Sequence, residues 1–204
     1  MIAVLTGDII NSRKASSPQA WQEILKQALA KLADADQWEL FRGDSFQVAL
    51  DKPELAFRAA VYLKACMRTL KGLDVRIAIG IGQAGYQADK VTESYGDAYV
   101  YSGEEFELLK KNRLNLAVRT GDLPFDEVFN LSFRLALTFM DHWTPHSAEL
   151  MKTFLENEHL SQKELGVLLG IGQSSVSERY NRAYVEEVLA LHHLFVKRIQ
   201  EKNS

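Results

Sequence analysis

Residues 38–50, WELFRGDSFQVAL, hold two β-rich runs on either side of Gly43-Asp44, and Gly-Asp between such flanks is hairpin chemistry. The two strands are expected to meet at residues 42–45, with Asp44 at the tip. A second Gly-Asp, Gly7-Asp8, interrupts an apolar run in VLTGDIINSR (4–13), where residues 2–7 read as a buried strand. A carboxylate at the mouth of a core is costly unless a positive charge answers it. Two of them in one fold suggest a shared cation.

Between these strands, residues 16–35 (SSPQAWQEILKQALAKLADA) put Trp21, Ile24, Leu25, Ala28, Leu29 and Leu32 on one helical face, with Ser17 as N-cap and Pro18 at the first helical position. After the hairpin, residues 52–72 repeat the helical pattern through Leu55, Ala59, Leu63, Met67 and Leu70 and stop at Gly72. Residues 73–86 (LDVRIAIGIGQAGY) read as a strand, 97–112 as a helix and 114–120 as a strand. The order β-α-β-β-α-β-α-β is that of an α+β sandwich of ferredoxin-like type, its helices packed against one sheet. Gly80, Gly82 and Gly85 fit G-x-G-x-x-G, but no apolar helical face follows the third glycine. They are read as permitting close backbone packing or a strand end, not dinucleotide binding.

Past Phe125 the strand signals stop. Helical patterns fill about 126–142, 145–157, 162–169 and 173 to near 200, which divides the chain into an α+β domain of residues 1–123 and an all-α domain of residues 124–204. In LSQKELGVLLGIGQSSVSERYNRA (160–183), Ser161 and Glu164 form a capping box, Gly170-Ile171-Gly172 breaks the helix, and another starts at Gln173 or Ser174. This helix-turn-helix pattern is expected to bury Leu165, Leu168, Leu169, Ile171, Val176 and Tyr180. The last helix carries Tyr184, Val188, Leu191 and Phe195 at steps of four and three, a seam that either pairs with a second copy or folds onto the bundle.

Composition narrows the function classes. The chain of 204 residues is 47% hydrophobic and 25% charged, a globular balance. Its start lacks a basic region and a cleavage site, no apolar run approaches a membrane span, and the single cysteine, Cys66, is placed on a helix's buried side. A cytoplasmic protein is expected. The net charge of −3 gives no general attraction to nucleic acid, so DNA contact has to come from a local surface. The five histidines lack ligand spacing and are read as surface or packing residues.

The strands with TGDIINS and FRGDSFQ, together with VRIAIGIGQAGY and SYGDAYVYSG, resemble the palm-like catalytic domain of class III nucleotide cyclases. The resemblance implies divalent ions, Mg²⁺ or Mn²⁺, held by Asp8, the Ile9 carbonyl and Asp44, oxygen ligands that hard cations seek beside substrate phosphates. Arg13, Lys14 and Arg42 are near enough in sequence to meet a phosphate, and Glu93 falls at the position of a base-contacting acid. Three positions depart from the family pattern: the base-selecting lysine is Leu40, and the transition-state asparagine and arginine fall on Val100 and Glu104. A glutamate opposes the phosphoryl charge that an arginine would stabilise, so the usual cyclisation is not expected and no catalytic residue is assigned.

The chain is more closely similar to the SatD-like proteins, which carry TGDIINSR, RGDSFQ and YGDAYVYSG in this order ahead of a helical part. That resemblance covers most of the chain and implies architecture more than activity. The segment SQKELGVLLGIGQSSVS is similar to the helix-turn-helix of bacterial DNA-binding regulators, which implies that the second helix enters the major groove with Gln173, Ser174, Ser175, Ser177, Arg179 and, further along, Arg182. From residue 126 onward, however, eight Lys and Arg face eleven Asp and Glu. The resulting expectation is a homodimeric transcriptional regulator that binds DNA and senses a metal-bound nucleotide or other phosphorylated small molecule. The alternatives are a metal-dependent nucleotidyl or phosphoryl transferase and a non-catalytic interaction module.

Overall fold

The computed structural model describes residues 1–14, 18–85 and 91–203. The N-cap expected at Ser17 and residues 86–90, after the glycine-rich strand, lie outside the described residues. Five strands form one mixed sheet in the order β2-β3-β1-β4-β5: β1 (Ile2–Ile10), β2 (Trp38–Phe41), β3 (Ser45–Leu50), β4 (Asp74–Gly82) and β5 (Leu116–Arg119). The first four are antiparallel to their neighbours, and β5 joins β4 in parallel. With α1 (Pro18–Leu32) and α2 (Ala56–Arg68), the first six elements follow the expected β-α-β-β-α-β order, and α3 (Asp97–Asn112) leads to the added strand. The fold is α+β, as read from the sequence.

The helices do not all share one face of the sheet. Ala3, Leu5 and Ile9 of β1 enter a large core with Trp21, Leu25 and Leu29 of α1 and Phe57, Leu63 and Met67 of α2. Ile2 and Val4, pointing the other way, pack on Ala98 of α3. A strand covered on both faces needs apolar residues at consecutive positions, which is why β1 begins as an unbroken apolar run instead of alternating. Cys66 is buried on α2.

The glycines of β4 explain how α3 lies so close. A Cβ on Gly80 would stand 2.1 Å from the Ala98 carbonyl oxygen and 2.4 Å from the Ser102 amide nitrogen, so the helix backbone rests directly on the strand. The close-packing reading of these glycines holds. Thr6 and Ser102 then share a buried hydroxyl hydrogen bond of 3.0 Å across the contact.

The remaining chain is helical: α4 (Leu123–Met140), α5 (Pro145–Glu156), α6 (Gln162–Leu169), α7 (Gln173–Ala183) and α8 (Val185–Asn203). The single helix expected from 173 to near 200 is two, broken at Tyr184, whose φ of 56° is left-handed. Where the sequence suggests a boundary near residues 121–125, α4 begins, yet the main core runs on across it. Phe57 of α2 stacks on Phe133 of α4 at 4.9 Å, and Phe195 of α8 meets Phe57, Phe125, Phe129 and Phe133. The α8 seam therefore folds onto the bundle: Val188 and Phe195 are buried and Tyr184 stacks on Phe139 at 4.6 Å.

Two polar devices tie the helical half to the sheet. Lys64 of α2, nearly fully buried, donates to Asp74 at 2.7 Å and to Asp141, just past α4, at 2.5 Å. On the outer side of β5, the Asn130 amide donates to the Val118 carbonyl at 2.9 Å, and its oxygen accepts the Val118 N–H at 2.8 Å. Asp126 accepts the Thr120 N–H at 2.9 Å. Among the described residues no helix is long and apolar enough to cross a membrane.

Candidate functional site

Sheet register brings the two Gly-Asp pairs together. Asp8 of β1 lies opposite Ser45, the first residue of β3, and opposite Arg76 of β4. Asp44 precedes Ser45, and its carbonyl accepts the Ile9 N–H at 3.0 Å, one more rung of the ladder. A residue in an extended strand sends its N–H and C=O to the same edge, so the Ile9 carbonyl faces the hairpin as well. A cavity of about 490 Å³ at this point is lined by Asp8, Ser12 and Asp44 and by the cations Arg13, Lys14, Arg42 and Lys110. Arg13, Lys14 and Arg42 are exposed, with no carboxylate partner among the described residues.

The carboxylates differ in how they are answered. Asp44 accepts a 2.5 Å hydrogen bond from the Ser12 hydroxyl. Asp8 has the Arg76 guanidinium at 3.4 Å from Oδ2, while its buried Oδ1 has no hydrogen-bond partner. Burial pushes the Asp8 pKa above the ordinary value, outweighing the downward pull of Arg76 and Lys110, and Asp44 adds to the rise. The ionised form of Asp8 therefore costs the folded state stability above its raised pKa, and that cost fades as pH falls through it. Asp8→Asn is expected to raise the melting temperature at pH 7 and to lose that advantage below the usual aspartate range, as followed by thermal denaturation across pH.

The residues present fit a hard divalent cation of the kind expected, Mg²⁺ or Mn²⁺. Asp8, with its unpartnered Oδ1, and Asp44 line one cavity, and the Ile9 carbonyl lies next to Asp8 on the strand edge toward the hairpin, part of the oxygen set such ions complete with water and phosphate. Among the described residues no group of three or more His, Cys, Asp or Glu side chains surrounds a metal position, so a closed all-protein cage is not formed. The cationic rim suits the phosphates that would finish the coordination.

Other expected site residues lie elsewhere. Glu93 ends a short turn whose Val91 packs on Ile2 and Val4 and whose Thr92 hydroxyl donates to Glu39 of β2, and it is not part of the lining of the carboxylate cavity. Val100 is exposed, and Glu104 is paired with Arg119 of β5 at 2.7 Å, outside the carboxylate cavity. Leu40 is partly buried against the core. Ser12, Arg76 and Lys110 were not singled out by the sequence. Arg76 had a signal, a lone cation in an apolar strand on the same face as Asp8; Lys110 had none, because its helix ends over the site through tertiary packing alone. A cavity of about 610 Å³ between α1, α2 and α5 is separate from the carboxylates, and there Glu156 accepts from Tyr62 at 2.6 Å and Lys31 at 2.7 Å.

In the helical half, both hydrogen bonds of the Ser161–Glu164 capping box form, and Gly170 closes α6 at φ 64°. A Cβ on Gly166 would stand 2.7 Å from the Ile171 carbonyl oxygen, so this glycine lets the turn fold back against α6. Leu165 and Val176 are buried and Leu169, Ile171 and Tyr180 partly so, but Leu168 is 57% exposed, with Val167 beside it at 78%. The short α6 packs by one edge only, and Leu168 falls off that edge. On α7, Gln173 and Ser174 are exposed, and Ser175 and Ser177 are half-buried. Arg179 is held by Glu149 at 3.1 Å and Arg182 by Glu178 at 2.6 Å. His192 is buried, and burial lowers its pKa.

The family model described as the SatD family matches residues 1–190. The chain belongs to the SatD family. Asp8, Asp44 and the α6–α7 pair all fall within the matched span, so the candidate sites sit in the part shared with the SatD family. No curated protein matches the chain.

Proposed function

We propose that this SatD-family chain is a ligand-responsive, DNA-binding regulator whose amino-terminal half holds a Mg²⁺ or Mn²⁺ complex of a phosphorylated small molecule such as a nucleotide. The observation that carries the reading is the meeting of Asp8 and Asp44 in one cavity rimmed by Arg13, Lys14, Arg42 and Lys110, with Asp8 Oδ1 unpartnered. Carboxylates alone would favour a bare cation, and cations alone a bare anion. Both together suit a metal-bound phosphate.

A thermal-shift panel of nucleotides with Mg²⁺ or Mn²⁺ tests the ligand half of the reading. A ligand at a hundredfold excess over Kd is expected to raise the melting temperature by roughly 5–10 °C. Asp8→Ala/Asp44→Ala is expected to erase that rise. A nucleotide shift that survives in the variant, or none in the wild type, defeats this half.

The DNA half rests on the exposed Gln173 and Ser174 at the start of α7, behind a turn braced by Gly166. Phosphate contact by Arg179 and Arg182 requires them to leave Glu149 and Glu178. Duplex binding at low salt that is unchanged in Arg179→Ala/Arg182→Ala counts against this role. A dimer, if formed, uses a surface other than the α8 seam. The transferase reading keeps one supporting feature: Arg42 and Lys110 stand over the cavity, where they supply the phosphoryl charge stabilisation that Glu104 cannot. Nucleotide turnover that disappears in Asp44→Ala while the fold survives would favour it.

A further inference from the structure

A third cavity, about 430 Å³, opens beside the carboxylate site between the end of β1, the α2–β4 turn and the α4–α5 connection. Its wall carries four cations, Arg68, Lys71, Arg76 and Arg113, and one carboxylate, Asp74. That carboxylate is already satisfied. Its Oδ1 accepts from Lys64 at 2.7 Å and from the Val75 N–H at 2.8 Å, and its Oδ2 accepts from Arg68 at 2.7 Å. Lys71 and Arg113 are exposed, with no carboxylate partner among the described residues. Arg76 reaches Asp8 at a long 3.4 Å, and its Nε is buried without a hydrogen-bond partner. Pro145, the first residue of α5, also lines the cavity, so the positive end of that helix adds to the potential.

We propose that this cavity is a metal-independent binding site for a phosphate-class anion: phosphate, pyrophosphate or the phosphate end of a monoester. Guanidinium groups match phosphate oxygens in pairs and remain charged at any working pH. The volume exceeds that of one phosphate, leaving room for a second phosphoryl group or a small alcohol portion. The site also lies on the seam between the two halves of the chain. Arg68 donates to the Trp143 carbonyl at 2.7 Å and 3.1 Å, and the Trp143 indole donates to the carbonyl of Ala183, the last residue of α7, at 3.0 Å. An anion that draws Arg68 toward itself therefore pulls on the residue that anchors α7.

Pyrophosphate titrated calorimetrically into the full chain, in EDTA and at constant ionic strength, is expected to bind one equivalent. Lys71→Gln/Arg113→Asn is expected to melt like wild type without ligand and to bind at least about tenfold more weakly. Asparagine is chosen at 113 because that residue has φ 55°, a conformation asparagine tolerates. Asp8→Asn/Asp44→Asn, which frees Arg76 from its carboxylate, is expected to bind pyrophosphate at least as tightly as wild type does, so failure of the metal-site reading leaves this result intact. No binding by the wild type in EDTA, or equal binding by Lys71→Gln/Arg113→Asn, overturns the proposal. Loss of binding in Lys14→Gln/Arg42→Asn, exposed cations of the carboxylate cavity, also overturns it, by assigning the anion to that cavity.

Discussion

Gly80→Ala is expected to cost about 3 kcal/mol or more of stability, a large share of the 5–15 kcal/mol typical of a native domain. The added methyl group would lie 2.1 Å from the Ala98 carbonyl oxygen and 2.4 Å from the Ser102 amide, and neither is the end of a flexible side chain. Relief requires the whole of α3 to lift from β4. That movement opens the buried Thr6–Ser102 hydrogen bond and the packing of Ala98 on Ile2 and Val4. Gly103, one residue past Ser102 on the same helix, supplies the control, since a Cβ there meets nothing within 4 Å. Gly103→Ala is expected to stabilise by about 0.5–1 kcal/mol through helix propensity alone. Urea denaturation of the pair reads opposite signs if the glycine of β4 is there for close approach, and the same sign if it is not.

Lys64→Met is expected to destabilise by about 3–5 kcal/mol, the usual result of removing one partner from a buried ion pair. Lys64 joins α2 to the start of β4 through Asp74 and to the end of α4 through Asp141. Without the ammonium, Asp74 keeps Arg68 and the Val75 N–H, but Asp141 is left with the Asn115 amide at 3.0 Å as its remaining side-chain donor. The loss should therefore fall mostly on the junction between the two halves. Lys64→Met/Asp141→Asn, which removes the stranded charge, is expected to recover part of the stability. A double-mutant cycle by thermal or urea unfolding measures the coupling, and additive effects would dissolve the network as an energetic unit.

The elements that sequence periodicity made legible are those with strong local signals. Trp21, Leu25, Ala28 and Leu29 line the buried face of α1 as spaced, and the capping box opens α6 where read. The hairpin placed Asp44, and the β1 pattern placed Asp8. Two carboxylates at the mouth of a core suggested that they share a cation, but only a resemblance set them opposite each other, because register between strands is a tertiary fact. The break between α7 and α8 left no mark: the left-handed residue is Tyr184, where glycine or asparagine would have announced a stop. Periodicity also gave no reason to set α3 on the opposite face from α1 and α2, since its apolar stripe is satisfied by either side of a sheet. Lys110 and Arg76 reached the site from elements far apart in sequence, and the pairing of Glu104 with Arg119 depended on β5 lying beside α3.

The Asn130 amide on the outer side of β5 has a consequence for what the sheet can join. Its two hydrogen bonds to Val118 occupy the donor and acceptor that a sixth strand would need, and Asp126 occupies the next donor at Thr120. Sheet growth is thus stopped on that border by a helix of the same chain, and strand addition from another molecule is left to the border at β2. The amino-terminal half made without α4 would expose a raw strand edge prone to self-association. The helical half is, in this respect, the seal that keeps the sheet from polymerising.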